Sequence, residues 1–202
     1  MTHPAAPMGK NRLEAFSDGV IAVIITIMVL DLKVPHGESL AALTPVVPVF
    51  LVYVLSFVNV GIYWNNHHHM LHACERVTGP ILWANLHLLF WLSLFPFTTA
   101  WMGENHYAAT PAALYGCVLL AAAIAYTILQ QTIISSQGEN SVLRKAVGRD
   151  RKGKLSVALY IAAILASLFA SHWLAMGLYV LVALLWFVPD RRIERELGAG
   201  GA

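Results

Sequence analysis

The sequence contains several apolar runs that are each long enough to cross a lipid bilayer as one helix. A crossing needs about 20 mostly apolar residues, because the hydrocarbon core is about 30 Å thick. The stretch 155–188 is long enough for two short spans, and its polar interruption Ser171-His172-Trp173 predicts a turn. We therefore expect an all-α integral membrane protein, with one domain over residues 1–202 and transmembrane helices at about 13–32, 43–63, 81–102, 111–134, 155–170 and 173–188.

Composition excludes a soluble enzyme or a nucleic-acid-binding protein. Charged residues make up 12% of the chain, against roughly 25% in soluble domains. The net charge is +2, too small to indicate a nucleic-acid partner. The glycine loops, His-Glu-x-x-His pattern and serine elbow of common enzymes are missing from the sequence. We expect no enzymatic activity, no cofactor and no resident metal, and the lipid bilayer as the chain's solvent.

The positions of the basic residues predict the orientation in the membrane. If the N-terminus is cytoplasmic, all 13 lysines and arginines except Lys33 fall on the cytoplasmic side. This asymmetry is typical of membrane proteins and requires an even number of spans, with the C-terminus inside as well. The sequence thus predicts a multi-pass membrane protein with both ends on the cytoplasmic side. The basic loop 144–154 fits this topology, and it could alternatively bind anionic lipid head groups.

The first span carries polar residues at its start and an apolar stripe beyond them. Ser17 and Asp18 lie just inside the apolar run, and an ionisable residue there is a functional candidate or a carboxylate stabilised by the helix dipole. At 100° per residue, one stripe contains Gly19, Val23, Thr26, Ile27 and Leu30. Asp18 falls roughly opposite that stripe and is expected to face the rest of the bundle. Such a stripe can face lipid, pack against protein or line a pore.

Histidines cluster at the end of the second span. His68 and His72 are spaced i, i+4, so one helix face could offer two imidazoles to a metal. Only His87 and Glu75 are candidates for the further ligands that a metal site needs. The alternatives are interfacial histidines that bond to the backbone or to Asp18, and a pH-sensing role.

Several motifs in the first half of the chain resemble those of one known family. The run from Arg12 through Phe16-Ser17-Asp18 is similar to the Arg-x-x-x-Phe-Ser-Asp signature of the transmembrane protein 175 family, the lysosomal potassium channels and their prokaryotic relatives. Tyr63-Trp64 followed by His67-His68 resembles the family's second span. Asn85 and the stretch 96–99 resemble its third span.

The resemblance implies a potassium-permeable cation channel that needs no carbonyl filter. In this family the first helix of each six-helix unit lines a central pore, so a chain with one unit implies a prokaryotic homotetramer of the plasma membrane. Residues matching the family's apolar constriction are Val23, Ile27 and Leu30, with Thr26 as a polar layer. Residues that by resemblance support the pore helix are Arg12, Phe16, Ser17, Asp18, Trp64 and His68.

Three other functions remain compatible with the residues. A proton-coupled secondary transporter would use Asp18 and the histidine cluster as its relay. A membrane metalloenzyme would use His67, His68, His72 and His87. A structural membrane protein would need none of them.

Overall fold

The structure, a computed structural model, describes residues 9–138, 143–144 and 150–187, and its regular elements are helical. In chain order they are α1 (Lys10–Leu30), a 3-10 helix (Leu40–Val46), α2 (Val47–His72), α3 (Gly79–Ser93), α4 (Phe95–Glu104), α5 (Ala109–Gln137), α6 (Arg151–Phe169) and α7 (His172–Phe187). Residues 145–149 of the basic loop and Val188 at the end of the last predicted span lie outside the described residues, as do Arg191, Arg192 and Arg195.

The described helices confirm an all-α integral membrane protein. Five helical stretches are long and apolar enough to cross a membrane: Lys10–Leu30, Leu40–His72, Gly79–Glu104, Ala109–Gln137 and Arg151–Phe169. The sixth, α7, is apolar throughout its 16 residues but shorter. The turn between α6 and α7 falls at the predicted Ser171. α2 continues beyond the predicted end at residue 63, so the histidine cluster is helical.

The third span is broken at Leu94, between α3 and α4. Pro96 follows within the first turn of α4. Proline has no backbone N–H, so it cannot continue the hydrogen bonding of the preceding helix. The interruption of the third span at Leu94 thus lies next to this proline.

α5 lies at the centre of the packing, in contact with α3, α4, α6 and α7. Gly116 on α5 allows a close approach, because a Cβ there would overlap the Tyr179 side chain of α7. The Tyr179 hydroxyl donates to the carbonyl of Ala112 at 2.9 Å. Small residues at a helix contact let two backbones approach closely in a membrane protein. α1, in contrast, packs against α2, α3 and α4 and leaves one of its faces uncovered.

Candidate ion pathway and its supporting contacts

The uncovered face of α1 is the stripe that helical geometry predicts from the sequence. The face that packs on the neighbouring helices consists of Leu13, Ser17, Ile21, Ile24 and Met28. On the other side, the exposed fractions are 54% for Val23, 43% for Ile27 and 80% for Leu30. Thr26 is exposed between Val23 and Ile27, and Gly19 is exposed one turn before Val23. A single copy of the chain therefore presents three large apolar side chains in one line, with a hydroxyl among them.

The hydroxyl of Thr26 points its hydrogen back at its own helix. It lies 2.9 Å from the carbonyl oxygen of Val23 and 3.1 Å from that of Ala22. A hydroxyl has one hydrogen and two acceptor lone pairs. With the hydrogen directed at the backbone, the lone pairs of this exposed oxygen can face a cation on the open side of α1.

Arg12 and Phe16 extend the exposed stripe toward the start of α1. Along α1, the positions 12, 16, 19 and 23 follow one another at spacings of four, three and four residues, so they share one face of the helix. Arg12 and Phe16 are both exposed. The resemblance assigns these two side chains to holding the pore helix in place. Within the part of the chain that the structure describes, they face away from the helices on which α1 packs.

A chain of buried hydrogen bonds ties α1 to α2 and α3. Nε2 of His67 lies 2.7 Å from Oδ1 of Asn85, and Nδ2 of Asn85 donates to Oγ of Ser17 at 3.0 Å. Oγ of Ser17 donates in turn to the carbonyl of Leu13 at 2.8 Å. Since an amide oxygen only accepts, this arrangement assigns the proton of His67 to Nε2. His67, Asn85 and Ser17 are each at most 1% exposed, so the chain lies inside the protein.

Asp18 does not face the interior, contrary to the expectation from its position opposite the stripe. It is exposed, and its Oδ1 accepts a hydrogen bond from Nε1 of Trp64 at 3.0 Å. The reason is rotational, because Asp18 lies about 100° around the helix from the buried Ser17. That angle places its carboxylate on the flank next to α2. The Trp64 ring also contacts His68, with centroids 6.4 Å apart.

The histidines have different surroundings and do not converge. His67 is bonded to Asn85, and Nε2 of His87 accepts from Nε1 of Trp91 on its own helix at 2.9 Å. The rings of His68 and His72 stack with their centroids 6.3 Å apart. Among the residues that the structure describes, no group of three His, Cys, Asp or Glu side chains is placed to hold a metal ion.

His67 is the supporting residue that the sequence prediction missed, since His68 was chosen instead. A signal was present. His67 lies seven residues after Val60 and three before Met70, on the face of α2 that is buried. His68 is turned about 100° away and is exposed.

Comparison with known proteins identifies the family. The model of the family described as "Endosomal/lysosomal potassium channel TMEM175" matches residues 12–96, which contain every residue of the stripe and of the buried chain. A potassium channel of Chryseobacterium sp. (strain P1-3) is 56% identical over 190 residues, which cover 94% of this chain and 98% of that protein. The chain belongs to the TMEM175 family.

Other TMEM175 proteins extend the comparison. The crystal structure of a lysosomal potassium-selective channel TMEM175 homolog from Chamaesiphon minutus is similar to this structure, with a TM-score of 0.75 and 29% sequence identity. The match covers 90% of this chain and 97% of that one. The endosomal/lysosomal proton channel TMEM175 of Danio rerio is 40% identical over 88 residues, but these are only 17% of its length. The family resemblance noted in the sequence is thus confirmed, and the fold agrees over nearly the whole chain.

Proposed function

We propose that the chain is a subunit of a potassium-permeable cation channel, in which four copies of α1 surround a central pore in a prokaryotic plasma membrane. The name of the Chryseobacterium relative and that of the Chamaesiphon channel support potassium as the permeant ion. The observation that carries the proposal is the uncovered stripe on α1. The opposite face of α1 is packed against the neighbouring helices, and the stripe faces outward, as a pore-lining surface must.

In the tetramer, the stripe forms stacked rings around the axis. Val23, Ile27 and Leu30 span about 10 Å along α1, at about 1.5 Å per residue. Rings of large apolar side chains form a constriction that water leaves readily, and dewetting of this kind can gate a channel. These three residues are our proposed constriction, with the Thr26 hydroxyls as a polar layer within it.

The apolar rings also give a reason for a modest preference for potassium. An ion that crosses them must shed part of its water, and potassium holds water less tightly than sodium. The exposed oxygen of Thr26 accepts a cation at this level and partly replaces the lost water. The pathway uses no cofactor and no catalytic residue.

The charges at the helix ends support a cytoplasmic N-terminus. Nζ of Lys10 donates to the carbonyl of His72 at 2.6 Å, which places the start of α1 beside the end of α2. Arg151, Lys152 and Lys154 begin α6 on this same side. At the opposite side, Lys33 bonds to Glu104, and that hydrogen bond together with the carboxylate charge raises the pKa of Lys33. Positive charge concentrates on the cytoplasmic side of membrane proteins.

The alternative, a proton-coupled transporter, has less support from the geometry. The buried chain from His67 passes through the amide of Asn85, which neither gains nor loses a proton near neutral pH, and it ends on a backbone carbonyl. Asp18 is not part of that chain and bonds to an indole instead. These contacts therefore fit a role in holding the helices together better than a role in proton transfer.

Ion flux into proteoliposomes that contain the purified protein separates the two functions. A channel gives fast flux down a potassium gradient without any coupling ion, and slower flux down a matched sodium gradient. Flux that requires a pH gradient and saturates with potassium would favour the transporter. Protein-free vesicles are the control for leak.

A further inference from the structure

An open groove of about 270 Å³ runs between α2 and α7 on the outside of the protein. From Phe57 to Asn66 it extends about 14 Å along α2, at about 1.5 Å per residue. It is lined by Phe57, Val58, Gly61, Ile62, Asn65, Asn66, Trp186 and Phe187. The groove lies in the half of the membrane nearer to the proposed cytoplasmic side, because it follows the second half of α2 and the last turn of α7.

The lining changes from apolar to polar along the groove. Toward the middle of the membrane it consists of Phe57, Val58 and Ile62, and Gly61 leaves it open, since nothing lies within 4 Å of where its Cβ would be. Toward the proposed cytoplasmic side the side chains of Asn65 and Asn66 line it. Asn65 is exposed, so its amide can donate to a ligand there. An amphiphile with an acyl chain and a hydrogen-bonding head group matches this order.

A lysine lies next to Trp186, which lines the groove. Nζ of Lys152 lies 5.9 Å from the centroid of the Trp186 ring, and Nε1 of Trp186 donates to Oγ of Ser156 at 2.8 Å. These contacts hold the start of α6 against the end of α7. Among the described residues, the carboxylate of Asp150 accepts from the amide of Gly153 and caps α6.

We infer that the groove binds an anionic phospholipid, with an acyl chain against Gly61 and Trp186 and the head group beside Asn65 and Lys152. Each lysine or arginine near the membrane surface contributes about 1 kcal/mol to the binding free energy of anionic lipid. A second copy of the chain is a poorer occupant, because it would bring the same cationic helix ends toward this one. The inference does not depend on the proposed function, since the groove is separate from the stripe on α1.

The test counts bound lipid by native mass spectrometry of the full-length protein in detergent, titrated with phosphatidylglycerol or with phosphatidylcholine. We expect the wild type to retain phosphatidylglycerol preferentially. Gly61→Leu fills the groove and should abolish that preference, whereas Gly177→Leu is the matched control on an exposed, open position of α7. Lys152→Gln should weaken phosphatidylglycerol binding about fivefold, from the loss of one cation. Lys154→Gln removes the same charge from an exposed position and should have a smaller effect.

Three results would overturn the inference. The first is equal retention of the two lipids by the wild type, and the second is equal retention of phosphatidylglycerol by the two leucine variants. The third is a change in subunit number in Gly61→Leu but not in Gly177→Leu, since this would assign the groove to a second copy of the chain.

Discussion

Asn85 on α3 and Ser17 on α1 form a hydrogen bond of 3.0 Å in which both residues are fully buried. Ser17 accepts from the amide and at the same time donates to Leu13 of its own helix. It lies six residues before Val23, about 120° around α1 from it. The bond therefore fixes the rotation of α1 about its axis, and with it the direction in which Val23, Ile27 and Leu30 point.

Replacement of Ser17 by alanine should destabilise the protein by about 1–3 kcal/mol, because the buried Nδ2 of Asn85 loses its acceptor. Ser135→Ala is the matched control, since the Ser135 hydroxyl is exposed and bonds only to Gln131 of its own helix. Unfolding of the purified variants in detergent, followed by tryptophan fluorescence, measures the difference. Equal stability of the two variants would show that the bond contributes little.

Asp18 and Trp64 should be energetically coupled, because the carboxylate accepts directly from the indole. A double-mutant cycle with Asp18→Ala and Trp64→Phe should give a coupling free energy of about 1 kcal/mol in the same unfolding assay. Trp83→Phe in place of Trp64→Phe is the control, since Trp83 is 75% exposed on α3. Strictly additive effects of Asp18→Ala and Trp64→Phe would argue against a contribution of this bond to stability.

Gly116→Ala should destabilise the contact of α5 with α6 and α7 by about 1–3 kcal/mol through overpacking. The added methyl would overlap the Tyr179 hydroxyl and lie 2.8 Å from Cγ1 of Ile164. Gly177→Ala has open space at the same type of helical position and should be neutral or stabilising. Thermal unfolding of both variants checks the prediction, and a stable Gly116→Ala would mean that the helices move apart at little cost.

The spans were predictable from the sequence because the bilayer requires long apolar runs. The turn near Ser171 follows from its polar residues in the same way, and it is present. The uncovered face of α1 was also predictable, since helical periodicity alone places Val23 and Ile27 on one stripe.

The contacts between helices could not be predicted, because they depend on how two helices are rotated and shifted against each other. Ser17 and Asn85 are 68 residues apart, and His67 and Asn85 are 18 apart, so no sequence spacing marks them as neighbours. The same limit explains the error at Asp18. Its angle on α1 could be calculated, but which side of α1 is covered depends on how α2, α3 and α4 pack against it.

Ile27→Asn should raise sodium permeability relative to potassium permeability. The substitution removes part of the apolar barrier, and the new amide offers ligands to an ion that has shed water. Ile161→Asn on α6 is the matched control. Its wild-type side chain is 45% exposed, against 43% for Ile27, so the two changes place the same amide at equally exposed positions. Sodium and potassium flux into proteoliposomes gives the permeability ratio for each. A shift confined to Ile27→Asn supports a pore on the stripe of α1, whereas equal ratios in both variants and the wild type would place the ion pathway elsewhere.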